Sequence, residues 1–342
     1  MASNLSNRRW LLTSYPEGMP DESHFELQEN VDVPALEDGQ ILVHARYLSV
    51  DPYMRGRIAP GVNYAAGVEP GGLMQGGGVG EVIESRSPEF REGDIIETPD
   101  FGWQEYAVLG PDNGVTKVDP DLAPIQSSLS YLGMPGLTAY FGMFEVINAQ
   151  PGDTVVVSAA SGAVGQVAGQ LGKAHGCRMV AVASSDDKLD WCKEIGYVDG
   201  VNYRAAADDL PGALKAACPD GVNGYFDNTA GPIHDAVMEN LAQNARIAVC
   251  GTVSLADRLG QPDIGPRYHR QILVARARIQ GFIVFDFAET YEEARNHIAG
   301  LVQKGELQFK EDVSEGVETM AASFLKLLYS DNFGKQLVRV SG

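Results

Sequence analysis

A loop of small residues from Ala159 to Gly165, with the sequence AASGAVG, has the composition of a phosphate-binding turn. It follows the apolar run DTVVVSA and opens a stretch of small residues, which predicts a turn between a buried strand and a helix. Gly162 would let the backbone approach a pyrophosphate, and the glycine that ends the loop would let the helix pack against the strand. The N–H groups of Ala163 and Val164 would lie at the helix N-terminus, where the helix dipole favours phosphate. The loop begins with alanine where the usual pattern has glycine, so a tight turn without a ligand is the alternative interpretation.

The end of the next predicted strand, RMVAVA, indicates which dinucleotide this loop would bind. An NAD site usually has Asp or Glu at this strand end, whereas this chain has two serines that begin with Ser184. These hydroxyls, together with Lys188 and Tyr203, would suit the dianionic 2′-phosphate of NADP. Asp186 and Asp187 add negative charge nearby and argue the other way, unless they cap the helix that follows. The sequence therefore favours NADP(H).

Composition and charge exclude several classes of function. The chain has 342 residues, is 44% hydrophobic and carries a formal net charge of −20. This length is enough for two domains. Such an acidic surface would repel the phosphates of nucleic acids and anionic membranes. The sequence has no apolar run of about 18 residues and no signal-peptide pattern, so we expect a cytoplasmic protein. The four cysteines lie in segments predicted to be buried, without the spacing of a metal or redox pair.

The elements that would position these residues change in character near residue 126. The first part is rich in short predicted strands, such as QILVHARYLSV at residues 40–50, which is typical of a β domain. After it, apolar strands alternate with helices, which predicts βαβ units in a doubly wound parallel sheet. The tail returns to the alternating pattern of strands. We therefore predict an α/β protein in which a nucleotide domain, residues 127–311, is inserted into a β domain formed by residues 1–126 and 312–342.

The pattern of apolar residues predicts the bounds of individual elements. Strands are expected at residues 81–85, 93–98, 153–159, 178–183, 224–228, 246–251, 279–284, 307–313 and 335–340. Helices are expected at residues 163–175, 187–195, 235–242, 268–276, 291–304 and 318–329, and at 127–144 with an interruption at 134–136.

Seven motifs occur in an order that resembles a known family. They are NRRW at residues 7–10, VDPYMR at 50–55, GMPGLTAY at 133–140, the loop at 159–165, FDN at 226–228, GFIV at 281–284 and NFGK at 332–335. Together they resemble the prostaglandin reductase and alkenal/one oxidoreductase family of zinc-free medium-chain reductases, in particular its bacterial curcumin reductase branch. The resemblance covers essentially the whole chain. It implies a Rossmann domain inserted into a GroES-like β domain, NADPH as the cofactor, and a homodimer.

The resemblance also implies which residues bind the cofactor. Beyond the glycine loop and the 2′-phosphate residues, it implies contacts from Met134 and Thr138 beside the nicotinamide, Asn228, Cys250, Gly251 and Thr252 along the strand ends, Phe282 and Val284 at the carboxamide, and Asn332 and Gly334 from the returning tail.

Tyrosines are the candidate substrate and catalytic residues. The resemblance places Tyr53 in the substrate cleft, and Tyr64 is a second substrate candidate. Tyr53 and Tyr268 are the candidate catalytic residues, because Val274 stands where mammalian members of the family have a substrate-pocket tyrosine. Each tyrosine could instead be a packed aromatic residue. The Cys and His residues have no spacing that supports a zinc site.

Without a metal to act as a Lewis acid, the expected reaction is hydride addition to an activated acceptor, such as an α,β-unsaturated ketone or aldehyde. Hydrogen bonds to the carbonyl oxygen would stabilise the developing charge, and water or a tyrosine would protonate the α-carbon. A quinone reductase and a nucleotide-binding protein without catalytic activity are the alternatives. Turnover of enones, of quinones or of neither would separate the three.

Overall fold

The computed structural model describes residues 5–61 and 63–340. The chain divides into two compact units. The first comprises the chain up to Leu129, the short segment Ala256–Gly260 and the chain from Glu311 onward, and the second comprises Ser130–Leu255 and Gln261–Lys310. The segment 256–260 lies inside the stretch predicted to be the nucleotide domain, yet it groups with the first unit.

Fifteen strands and nine α-helices are found in the described part of the chain. The strands are β1 Ser6–Leu12, β2 Phe25–Asp32, β3 Ile41–Ser49, β4 Gly78–Ser85, β5 Ile95–Thr98, β6 Tyr106–Leu109, β7 Thr116–Lys117, β8 Thr154–Ser158, β9 Arg178–Ala183, β10 Asp199–Asn202, β11 Val222–Asp227, β12 Leu241–Val249, β13 Arg278–Gly281, β14 Glu311–Glu315 and β15 Lys335–Arg339. The α-helices are α1 Met54–Arg57, α2 Met134–Phe141, α3 Ala163–Ala174, α4 Asp186–Glu194, α5 Leu210–Ala217, α6 Gly231–Met238, α7 His269–Ala275, α8 Tyr291–Gln303 and α9 Met320–Leu328. A π-helical turn, Gly142–Val146, and short 3-10 helices occur between them. Within residues 5–61 and 63–340, none of the helices has the length and apolar character needed to cross a membrane.

The first unit is built on a seven-stranded sheet. Strands β14, β15, β3, β4, β5 and β7 follow one another across it, and β6 also pairs with β3. Because β15 runs antiparallel to β3, with Leu337 opposite Ser49, the C-terminal segment completes the sheet that the N-terminal segment begins. Trp103 and Phe324 are fully buried and meet edge to face, with ring centroids 5.7 Å apart. Strands β1 and β2 form a separate antiparallel pair.

The second unit contains a six-stranded sheet in which every pairing is parallel. The strand order is β10-β9-β8-β11-β12-β13, the order of a Rossmann fold. Each residue of β8 is buried because the sheet is covered on both faces. Val155 and Val157 pack into one apolar layer, whereas Val156 packs with Val180 into the other, as alternate residues of a strand must. The predicted α/β class with a doubly wound sheet is confirmed.

The predicted helix at 127–144 differs from the structure. The residues at which we predicted an interruption, 134–136, are instead the start of α2, which begins at Met134 and has Pro135 in its first turn. Proline is well tolerated there because the first N–H groups of a helix have no intrahelical partner. The predicted helix at 235–242 corresponds to α6, which ends earlier because β12 begins at Leu241.

Two buried glutamines of α3 explain why the predicted strand at 307–313 begins late. Gln170 accepts the backbone N–H of Gln308 and donates to its carbonyl oxygen, both over 2.7 Å. Gln166 bonds Lys310 in the same way, over 2.9 and 3.0 Å. The two glutamine side chains pair with the backbone groups of the extended segment at residues 308–310, as a neighbouring strand would. This segment therefore pairs with side chains and not with a strand, and β14 begins only after it.

Candidate functional site

The glycine loop connects β8 to α3. Ala159 has a φ of 49°, in the left-handed region that favours glycine. Gly162 is the N-cap of α3 and supplies no capping side chain, so the first N–H groups of the helix, including those of Ala163 and Val164, lack a side-chain acceptor from the cap. A Cβ atom on Gly165 would lie 2.4 Å from the carbonyl oxygen of Ala159, which shows that the helix packs directly on the loop. The loop therefore presents backbone donors that suit a phosphate.

At the end of β9, several predicted phosphate-binding residues come together. Lys188 Nζ donates to Ser184 Oγ over 3.1 Å, and Ser184 is buried. The N–H of Tyr203 donates to the carbonyl oxygen of Ala183 over 3.0 Å, which holds the chain after β10 beside the end of β9. The Arg204 guanidinium lies 6.0 Å from the centroid of the Tyr203 ring and adds a second cation, which the sequence analysis did not include. The Ser184 hydroxyl, the Lys188 ammonium group and the Arg204 guanidinium therefore lie near this strand end.

Asn228 connects two neighbouring strand ends. Its backbone N–H donates to Ser158 Oγ over 2.9 Å, and its Nδ2 donates to the Ser158 carbonyl oxygen over 2.8 Å. The N–H groups of Cys250 and Gly251 both donate to the carbonyl oxygen of Asp227, over 2.8 and 3.1 Å. The carboxyl ends of β8, β11 and β12 are thus held together at the edge where open parallel sheets bind ligands.

Asp227 is a buried carboxylate that the sequence analysis did not single out. Its Oδ1 accepts hydrogen bonds from the Tyr225 hydroxyl and from the N–H groups of Thr229 and Ala230, and its Oδ2 lies 2.8 Å from His234 Nδ1. Ala230 has a φ of 59°, so these bonds hold a turn that its backbone would otherwise disfavour. Burial alone would lower the pKa of His234, but the hydrogen bond and the charge of the Asp227 carboxylate, together with the charges of Asp235 and Asp263, outweigh that effect, so the pKa is raised. The sequence signal that could have pointed to Asp227 is the position of the FDN motif at the end of a strand.

Five other predicted cofactor residues lie in the second unit, on or near α2 and after the ends of β12 and β13. Thr138 Oγ1 donates to the carbonyl oxygen of Met134 within α2, over 2.8 Å. Met134 packs against an apolar cluster that includes Val284. Phe282 is buried just after β13, and its N–H reaches the end of β12 over 3.4 Å. Thr252 lies in the turn that follows β12.

Tyr53 and Tyr64, in the first unit, share a cation. The Cζ atom of the buried Arg57 lies 5.5 Å from the ring centroid of Tyr53 and 4.7 Å from that of Tyr64. Burial raises the pKa of Tyr53, and the Asp51 carboxylate raises it further. The Tyr53 hydroxyl is therefore protonated at neutral pH and can donate a hydrogen bond.

A buried ion pair anchors the segment that carries Tyr53. Lys335 Nζ donates to Asp51 Oδ1 over 2.6 Å, to Ser49 Oγ over 2.7 Å and to the Val50 carbonyl oxygen over 3.0 Å. The Ser49 hydroxyl in turn donates to the other carboxylate oxygen of Asp51. Because all three protons of the ammonium group are used, the end of β3 is fixed to β15.

The remaining predicted residues of the tail and of the loop before α7 have structural partners. Asn332 is buried and its Nδ2 donates to the Gly334 carbonyl oxygen over 2.9 Å, while Gly334 has a φ of 86°. Tyr268 is buried in the second unit, in an apolar cluster with Val237, and its ring lies 6.3 Å from that of His234. Burial raises the pKa of Tyr268.

Within the described residues, no group of three or more His, Cys, Asp and Glu side chains could hold a metal ion. The four cysteines are free, and three of them are buried. Burial raises the pKa of the Cys177 and Cys218 thiols to about 11, and that of the Cys192 and Cys250 thiols to about 12. These thiols are therefore protonated at neutral pH and are poor nucleophiles.

Comparison with known proteins identifies the class. Residues 8–118 match the family described as the N-terminal domain of oxidoreductase, and residues 163–300 match the family described as zinc-binding dehydrogenase. The crystal structure of CurA from Vibrio vulnificus in complex with NADPH superposes with a TM-score of 0.91 at 34% identity, over 98% of this chain and 99% of that one. The fold and the strand-end site therefore define an NADPH-dependent oxidoreductase of the medium-chain dehydrogenase/reductase class.

Individual relatives narrow this assignment. A putative NADP-dependent oxidoreductase of Bacillus subtilis is 40% identical over 98% of both chains. The NADPH-dependent curcumin reductase of Escherichia coli is 39% identical over 98% of this chain and 97% of its own. A 2-alkenal reductase (NADP(+)-dependent) of Nicotiana tabacum is 37% identical over 100% of this chain and 99% of its own. The chain belongs to the family of these reductases, and the resemblance based on its motifs is confirmed.

Proposed function

We propose that this protein reduces the carbon–carbon double bond of α,β-unsaturated ketones and aldehydes with NADPH. The observation that carries the proposal is the cluster of Ser184, Lys188 and Tyr203 at the end of β9, in a chain 39% identical to a curcumin reductase and 37% identical to a 2-alkenal reductase. This cluster suits a 2′-phosphate, and the two relatives define the chemistry of the acceptor.

The residues present fit the cofactor. The uncapped N-terminus of α3 at Gly162 supplies backbone donors for the pyrophosphate, and the left-handed backbone of Ala159 turns the chain into it. We propose that the other predicted residues also contact this cofactor. They are Ala163, Val164, Met134, Thr138, Asn228, Cys250, Gly251, Thr252, Phe282, Val284, Asn332 and Gly334. When bound, NADPH supplies the hydride for the reaction.

Tyr53 is the residue that we propose to act on the substrate. Its hydroxyl is protonated because its pKa is raised, so it can donate a hydrogen bond to the carbonyl oxygen of the acceptor. A hydrogen bond of this kind stabilises the negative charge that develops on that oxygen. Arg57 adds positive charge beside the ring, and Tyr64, on the same guanidinium, is proposed to contact the substrate. Tyr268 is the alternative proton donor.

The test is oxidation of NADPH, followed at 340 nm, with a panel of alkenals, dienone polyphenols and quinones. We expect turnover of the enones, and Tyr53→Phe should lower kcat by roughly 10²-fold, the usual effect of removing a donor to an oxyanion. Tyr268→Phe tests the alternative donor: it should leave kcat close to wild type if Tyr53 is the donor, and a similar loss of kcat in Tyr268→Phe but not in Tyr53→Phe would make Tyr268 the donor. Turnover of quinones but not enones would make the protein a quinone reductase. Tight NADPH binding without turnover would leave a nucleotide-binding protein.

We also propose that the protein forms a homodimer through the open edge of the six-stranded sheet. All residues of β13 are exposed, although it is the end strand of that sheet. The side chains of Ile279, Val274 and Leu273 are exposed nearby, by 40%, 59% and 73%. Exposed edges with apolar neighbours favour strand pairing with a second copy. Light scattering after gel filtration should give twice the mass of the chain, and Ile279→Lys should give the monomer.

A cytoplasmic location is proposed as well. Four free cysteines without a disulfide suit a reducing compartment. Fractionation of cells that produce the protein should recover it with cytoplasmic markers.

A further inference from the structure

Two carboxylates lie beside the proposed 2′-phosphate site. Asp186 and Asp187 occupy the first turn of α4, directly after the two serines that follow β9. Carboxylates in a first turn stabilise the helix dipole, but close to a bound dianion they would repel it. A carboxylate near the end of the second strand is also the group that binds the ribose hydroxyls in NAD sites. A site selective for NADPH must therefore control where these carboxylates point.

Asn202 contacts one of these carboxylates directly. This residue ends β10, and its Nδ2 donates to Asp186 Oδ1 over 2.9 Å. Its side-chain Oδ1 accepts the backbone N–H groups of Arg204 and Ala205, over 3.1 and 3.2 Å. The amide thus fixes the carboxylate with its donor and the following turn with its acceptor.

The turn that Asn202 holds carries two of the groups near the proposed phosphate site. Tyr203 is fixed to the end of β9 by its bond to the Ala183 carbonyl oxygen, 3.0 Å long, and Arg204 lies over its ring. Lys188, two residues after Asp186 on α4, bonds Ser184. One amide side chain is therefore bonded both to the carboxylate of Asp186 and to the turn that presents Tyr203 and Arg204.

We propose that Asn202 is a specificity-determining residue for the cofactor, because it holds the Asp186 carboxylate on the β10 side of the strand end. The inference rests on the proposed 2′-phosphate site. Without the amide, the Asp186 side chain is free to rotate towards Ser184, where it repels a 2′-phosphate and accepts hydrogen bonds from the hydroxyls of an unphosphorylated ribose.

The test is direct titration of the purified protein with NADPH and with NADH, monitored by the fluorescence of the bound nucleotide. Asn202→Ala should weaken NADPH binding by roughly tenfold and leave NADH binding unchanged or tighter, because only the 2′-phosphate is repelled. Adding Asp186→Asn to Asn202→Ala should restore most of the NADPH affinity. Asp187→Asn is the matched control, because it neutralises the neighbouring carboxylate, and in the Asn202→Ala background it should not restore the affinity.

Each other outcome overturns a defined part of the inference. If Asn202→Ala weakens NADPH and NADH equally, and Asp186→Asn gives no rescue, the amide only supports the turn and the specificity role is wrong. If Lys188→Ala weakens NADPH but not NADH while Asn202→Ala has no effect, the phosphate site stands and the Asn202 inference fails. If Lys188→Ala leaves NADPH affinity unchanged, the phosphate site itself is misplaced. Melting temperatures of all variants show whether each one is folded.

Discussion

Replacing Gly165 by alanine tests whether α3 must pack directly on the loop after β8. An added Cβ would lie 2.4 Å from the carbonyl oxygen of Ala159 and 2.7 Å from the Cα of Ala160. Both neighbours are backbone atoms, so no side chain can rotate away. The shortest contact would have to lengthen to at least 3.0 Å, which moves either the loop or the helix by about 0.6 Å.

The energetic effect has two opposing parts. Overpacking of this kind costs about 3 kcal/mol when only the backbone can yield, whereas alanine is better than glycine inside a helix by about 1 kcal/mol. The net loss in unfolding free energy is then about 2 kcal/mol. Gly300, within α8, is the matched control because an added Cβ there meets nothing within 4 Å. Gly300→Ala should therefore stabilise the protein by up to about 1 kcal/mol.

Urea unfolding and NADPH titration together test the prediction. Gly165→Ala should shift the unfolding midpoint to lower urea and weaken NADPH binding by roughly tenfold, because the loop that holds the phosphates is displaced. Gly300→Ala should shift the midpoint the other way and leave affinity unchanged. Equal stability of the two variants, or wild-type NADPH affinity in Gly165→Ala, would refute the close packing of helix and loop.

Three further predictions follow from other contacts. Lys335→Met leaves the Asp51 carboxylate buried without a cation and should cost about 3–5 kcal/mol in urea unfolding. Adding Asp51→Leu should recover part of that loss. A cost below about 1 kcal/mol, as for a surface ion pair, would show that the pair is hydrated. The pKa of His234 is raised above 6.5, and its bond to Asp227 contributes to that rise. The stability that this ion pair contributes is therefore present in full below pH 6.5 and is lost as pH rises through the raised pKa. The difference in unfolding free energy between wild type and His234→Gln should shrink between pH 6 and 9, and a constant difference would contradict the ion pair. Ala159→Gly should raise the unfolding free energy by about 0.5–1 kcal/mol, because glycine adopts the observed φ of 49° without steric cost. A lower melting temperature of this variant would count against that backbone geometry.

The elements near the glycine loop could be predicted from the sequence because their patterns are strong. The strands β8 and β9 are continuous apolar runs, and α3 and α4 begin within one residue of their predicted starts. No bounds were predicted for β10, the strand before Tyr203, because it has four residues and only Val201 is buried, so no alternation is visible. Helix α5 was missed because Pro211 and Gly212 suggest a loop, although the proline lies in the first turn and Asp209 caps the Gly212 N–H.

The residues of the candidate site also fall into two groups, those that a local sequence pattern identifies and those whose contacts form only in the folded protein. Residues that belong to a local pattern, such as the glycine loop and the serines after β9, could be proposed from the sequence because strand, turn and helix follow one another along the chain. Asn202 acts through a carboxylate on helix α4, and a strand pairing brings the two together. The partners of Asp227 lie within seven residues of it, and a turn with a left-handed residue, Ala230, positions them. The register of β10 against β9 places Asn202 opposite Ala183, which brings its amide to the first turn of α4. A shift of that register by one residue would turn the amide to the other face of the sheet, so its role depends on a pairing that a single sequence does not specify.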